Sequence, residues 1–250
     1  SILSGLPIIT SGTVLLGSSA ALIDGSAHSS SCQALVAIGA PSGAAFPGAL
    51  VLARVDSDGD IVKATLVSNG YSGLQIFGLG ATPAPGGLGL AVVGPGDMNG
   101  DGVPDLIASA PLASNSPHSN DGALILMFLT ASDTVDYIQI IRRGDSTGFG
   151  AYPLPFSTKC GASLALLSVE EDTVRLAMGC PEASRANLVG ALAIVTVNTT
   201  AETADVEDVL VSRLLHVPPT GDFRRGLAIA SFGDQQGTGS TGLLIGARGT

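Results

Sequence analysis

The chain has 250 residues and a formal net charge of −10, with 13% charged residues, 34 glycines and 14 prolines, and its mean hydropathy is +0.45. The acidic balance opposes contact with nucleic-acid phosphates, and no apolar run approaches the roughly 18 residues of a membrane helix. Three cysteines are too few for a disulfide scaffold, so the apolar content belongs in short strands covered on both faces and separated by glycine and proline turns.

In chain order, residues 4–11 come first. Their Pro7-Ile8-Ile9 resembles Gln139-Ile140-Ile141, which marks them as the last strand of a preceding unit. Three anchors then recur in a fixed order, the signature of an internal repeat. The first is a small-residue strand opening: Gly17-Ser18-Ser19-Ala20-Ala21, Gly87-Leu88-Gly89-Leu90-Ala91, Gly161-Ala162-Ser163-Leu164-Ala165 and Arg224-Arg225-Gly226-Leu227-Ala228. The second is an apolar strand running to a small-Pro corner, at residues 35–41, 106–111 and 174–181, with 243–248 as its fourth copy. The corner prolines stand at 41, 111 and 181, a spacing of 70 twice over. The third is Gly48-Ala49-Leu50, Gly122-Ala123-Leu124 and Gly190-Ala191-Leu192, each opening another apolar run. A fourth strand follows at 61–67, 137–142 and 206–214. Four strands per repeat is the content of a propeller blade.

The order of these anchors resembles the FG-GAP repeat family, the blades of integrin α-subunit heads. Residues 87–91, 96–106, 109–111 and 122–124 carry the likeness best. The resemblance implies an all-β fold, a β-propeller or a segment of one, made of four-stranded antiparallel blades. The expected divisions are 1–16 (the last strand of a preceding blade), 17–75 (a blade), 76–145 (a blade with a cation loop), 146–215 (a blade) and 216–250 (an incomplete blade). The open ends predict a portion of something larger, whose blade edges are covered by neighbouring chain or by partner proteins; the alternative is a small closed ring of four blades.

Asp97-x-Asn99-x-Asp101-Gly102-x-x-Asp105 sets side-chain oxygens at alternate positions, as a hard cation with six to eight oxygen ligands requires. Read from the residues alone, the segment is either such a loop or an ordinary Asn-Gly/Asp-Gly turn. The family resemblance assigns Asp97, Asn99, Asp101 and Asp105 as side-chain ligands of Ca2+, with Val103 contributing its carbonyl. The corresponding stretches elsewhere are depleted: Thr238 and Gly242 replace two carboxylates after Asp234, and the third repeat keeps only Glu170-Glu171-Asp172. One calcium site is expected. Asp56-Ser57-Asp58-Gly59-Asp60 has no downstream acid to complete a cage and reads as a hairpin turn.

Cys160 and Cys180 lie symmetrically about the acidic turn at residue 170, so an antiparallel hairpin places them opposite each other, as a disulfide or as two buried thiols. Cys32 has no evident partner. Asn198-Thr199-Thr200 is an N-glycosylation acceptor in a secreted protein. Arg143-Gly144-Asp145-Ser146 is the tetrapeptide found in integrin ligands, and its plainer reading is a turn in an inter-blade connection. His28, His118 and His216 have neither metal-ligand spacing nor a nucleophile beside them, and no motif of a hydrolase or a phosphate loop is present. The expected function is therefore non-enzymatic: an extracellular or cell-surface structural or adhesive module that binds calcium and contacts other proteins or its own kind. The rival readings are a non-catalytic propeller attached to a hydrolase, and an integrin-like receptor head.

Overall fold

The computed structural model describes residues 16–24, 34–41, 48–69, 72–74, 86–113, 120–142, 158–185, 188–200, 203–211, 224–232 and 241–248. Among these there is no helix, and fourteen strands follow one another. The first sheet runs in sequence order through β1 (Ala20–Asp24), β2 (Ala34–Ala40), β3 (Ala49–Val55) and β4 (Ile61–Ser68). The second does the same with β5 (Val92–Gly96), β6 (Asp105–Ala110), β7 (Ala123–Leu129) and β8 (Val135–Arg142). The third holds β9 (Ser163–Glu170), β10 (Thr173–Arg185), β11 (Leu188–Asn198) and β12 (Thr203–Val211). A hairpin of β13 (Arg224–Phe232) and β14 (Gly242–Arg248) joins β11 through one parallel bridge, Gly190 to Arg225. The segments at 1–15, 114–119, 143–157 and 212–223, with Cys32, the three histidines and Arg143-Gly144-Asp145, lie outside the described residues.

The chain divides into two compact units, Ser1–Ala110 with Ile125–Ile140 and Pro111–Leu124 with Ile141–Thr250. Composition explains the layering inside each. Strand β7 is apolar at all seven positions and buried at every one, as a strand covered on both faces must be. The last strands of the first two sheets, β4 and β8, are only partly buried and expose Lys63 and Asp136. In the first unit Ala40, Ala49, Val51 and Leu66 form one core cluster. In the second, Ala165, Ala177 and Leu192 pack with Ile229, Leu243 and Ile245 of the terminal hairpin.

The third anchor has a physical role. Gly48 and Gly122 adopt φ of 91° and 89°, a region that glycine enters without steric penalty. Each lies directly on the backbone that opens the next repeat. A Cβ on Gly48 would sit 2.4 Å from the Leu88 carbonyl oxygen, and one on Gly122 would sit 2.1 Å from that of Cys160. A parallel bridge joins Gly48 to Leu88, as the one at Gly190 joins Arg225. The same glycine thus seats the following repeat three times.

Two sequence expectations are corrected. In the first three repeats the small-residue openings start ahead of their strands: Gly17, Gly87, Gly89 and Gly161 all have positive φ, and the strands begin at Ala20, Val92 and Ser163. In the third repeat the strand does not end at Pro181. It continues to Arg185 after a register shift between Cys180 and Ser184, because a bulge accommodates the missing proline N–H.

Candidate functional site

The loop between β5 and β6 is wound around the carboxylate of Asp97. Its Oδ1 accepts the backbone N–H groups of Gly100 at 2.7 Å and Asp101 at 3.2 Å, and its Oδ2 accepts that of Gly102 at 2.7 Å. Asn99 Oδ1 accepts the Asp101 N–H at 3.2 Å, and Asn99 Nδ2 donates to Asp101 Oδ2 at 3.0 Å. The Val103 N–H donates to Asp101 Oδ1 at 2.7 Å. Gly100 and Gly102, with φ of 78° and 84°, let the chain curl this tightly.

Asp105 differs from the exposed Asp97 and Asp101, being wholly buried at the start of β6. Its Oδ2 accepts the Met98 N–H at 2.8 Å and its Oδ1 the Leu129 N–H at 2.9 Å. Burial pushes its carboxyl up to about 6; the two backbone hydrogen bonds pull against this, while the charges of Asp101 and Asp97 add to it. Among the described residues no Lys or Arg side chain pairs with any of the three acids.

The fold therefore gathers the four predicted side chains and Val103 in one nine-residue loop. Among the described residues no three His, Cys, Asp or Glu side chains form a group that could hold a metal. The oxygens of Asp97 and Asp101 accept backbone amides and one side-chain amide, which leaves further lone pairs on each carboxylate. The donor set itself is made wholly of hard oxygens, with an uncompensated acid at its base, and that chemistry suits Ca2+.

A second cluster, absent from the sequence reading, lies beside the loop. Asp133 is 2% exposed and takes three donors from the first sheet. Arg54 Nε reaches its Oδ2 at 2.8 Å, Arg54 Nη2 its Oδ1 at 2.5 Å, and Lys63 Nζ its Oδ2 at 2.7 Å. Burial alone would raise the Asp133 carboxyl; the hydrogen bonds and charges of Arg54 and Lys63 outweigh it and hold it below the usual carboxylate range. The signal was in the turns. Asp56 to Asp60 and Thr130 to Thr134 close with matching backbone hydrogen bonds, but where the first has Gly59 at φ 86°, the second has Asp133 at φ 64°. An acid in a left-handed position that favours glycine is worth a functional explanation.

The remaining predicted sites fall elsewhere. Cys160 and Cys180 are joined by a disulfide with S–S 2.01 Å, both sulfurs belonging to buried residues. Asn198 ends β11, and the hydroxyl of Thr200 in its sequon donates to Asp172 Oδ1 at 2.9 Å.

No curated protein matches the chain. Residues 90–127, which contain the Asp97–Asp105 loop, strands β5 and β6 and most of β7, match the family model described as FG-GAP repeat. This stretch of the chain is similar to the FG-GAP repeat family.

Proposed function

We propose that the chain is a non-catalytic, calcium-binding segment of a β-propeller, working outside the cell as an adhesion-type module that contacts other proteins. The FG-GAP match at residues 90–127 supports an interaction module of this type. The recurrence of four-stranded antiparallel sheets in sequence order supports blades. The disulfide suits an oxidising compartment, and Asn198 is the glycan acceptor such a compartment would use.

The observation that carries the calcium reading is Asp105. It is a wholly buried carboxyl with two further acids in its loop, and among the described residues no Lys or Arg side chain pairs with them. A divalent ion bound by Asp97, Asn99, Asp101, Asp105 and the Val103 carbonyl would supply the missing positive charge and fix the loop. Melting the protein in calcium and in EDTA tests this. Calcium raises Tm in the wild type, because a ligand that binds only the folded state stabilises it by mass action. Asp101→Ala abolishes the rise. Equal melting temperatures for the wild type in millimolar calcium and in EDTA would refute the reading.

A further inference from the structure

We propose that the cation loop and the Arg54–Asp133–Lys63 clamp act as one device, so that calcium in the loop tightens the seam between the first two sheets. The inference rests on the calcium reading above and extends it from the loop to the packing of neighbouring repeats.

Two physical links join the parts. The first is Asp105, which holds the Met98 amide inside the loop with one oxygen and the Leu129 amide with the other. Leu129 is the last residue of β7, and the turn that begins at Thr130 carries Asp133. The second link is a cavity of about 280 Å3. Gly102, Val103 and Pro104 of the loop form part of its wall, and Arg54, Leu129 and Asp133 form another part. A shift of the loop's second half therefore alters the space beside the clamp. Asp133 also occupies a backbone conformation that glycine takes in the first sheet. Its use there is explained by the two cations it draws from the neighbouring sheet.

Linkage requires the effect to be reciprocal: if calcium strengthens the seam, weakening the seam weakens calcium binding by the same factor. The sign of that effect separates coupling from simple electrostatics. Arg54 is positive and lines the same cavity as the loop. On Coulombic grounds alone its removal would tighten calcium binding. Coupling through the seam predicts the opposite.

The test is calorimetric titration of calcium chloride into the 250-residue chain and into Arg54→Met, which keeps an apolar stem. Coupling predicts that Kd rises roughly five- to tenfold in the variant, with a smaller rise in the same direction for Lys63→Met. Unchanged or tighter binding in Arg54→Met overturns the inference while leaving the calcium reading intact. A wild type that binds no calcium overturns both. Amide hydrogen exchange on the wild type decides the matter without any variant. Calcium should slow exchange at Leu129 and Asp133 as well as within residues 97–105, and protection confined to the loop would sink the coupling.

Discussion

The seating glycines give a prediction whose size follows from the coordinates. Gly48→Ala places a methyl group 2.4 Å from the Leu88 carbonyl oxygen and 2.7 Å from its nitrogen. Both are backbone atoms, so neither can swing aside as a flexible side chain would. Gly59→Ala is the matched control. It lies in the turn between β3 and β4 at nearly the same φ, 86° against 91°, and a methyl there meets nothing within 4 Å. Each variant carries the left-handed penalty of about 1–2 kcal/mol, offset by roughly 0.4–1 kcal/mol from the stiffer unfolded chain. Only Gly48→Ala adds overpacking, about 1–3 kcal/mol. We therefore expect Gly59→Ala to lose about 1 kcal/mol and Gly48→Ala about 3 kcal/mol. Equilibrium urea unfolding reads the difference: at an m-value of about 2 kcal/mol/M, the two midpoints separate by roughly 1 M. Coincident midpoints would show that the Gly48 seat contributes nothing beyond its φ.

The Asp133 clamp predicts a pH signature. Asp133→Asn keeps a residue that tolerates the left-handed backbone but removes the charge, destabilising the protein by about 2–3 kcal/mol at neutral pH, somewhat less than the 3–5 typical of fully buried pairs because Lys63 is half-exposed. The folded carboxyl titrates below its ordinary value, so its contribution is complete above about pH 4 and fades as the pH falls through the folded value. Chemical denaturation at pH 7 and pH 2.5 should show the wild-type advantage shrinking, and a pH-independent advantage would contradict the charge argument. Replacing both Cys160 and Cys180 by Ala releases a constraint between residues 20 apart, which chain entropy values at about 3 kcal/mol. Thermal melts should show this loss, and dithiothreitol should move only the wild type.

Much of the fold was readable because the repeat is built from residues with narrow backbone roles. Gly48, Gly122 and Gly190 could be aligned by eye; Gly48 and Gly122 immediately precede a buried third strand, and Gly190 lies near the start of β11. The apolar run 123–129 needed no alternation once both faces were known to be covered. The Asp56–Asp60 turn was legible from Asp58-Gly59 alone. Other features are set by tertiary structure. Arg54 and Asp133 are 79 residues apart, and either one alone reads as a surface charge; only aligning the two hairpin turns exposes the acid standing where Gly59 does. The run of β10 through Pro181 depends on a bulge that no propensity signals. For the loop, the sequence named the residues that come together, but not that Asp105 is buried under the Leu129 amide. That contact ties the loop to β7 and requires knowing which strand lies beside β6.

The central claim is that the second repeat holds one cation. Gel filtration of the 250-residue chain in calcium, followed by elemental analysis of the protein peak, measures this directly. The account predicts one calcium per chain in the wild type and none after the paired substitution Asp97→Asn with Asp101→Asn. A metal-free wild type, or a stoichiometry that survives both substitutions, would contradict it.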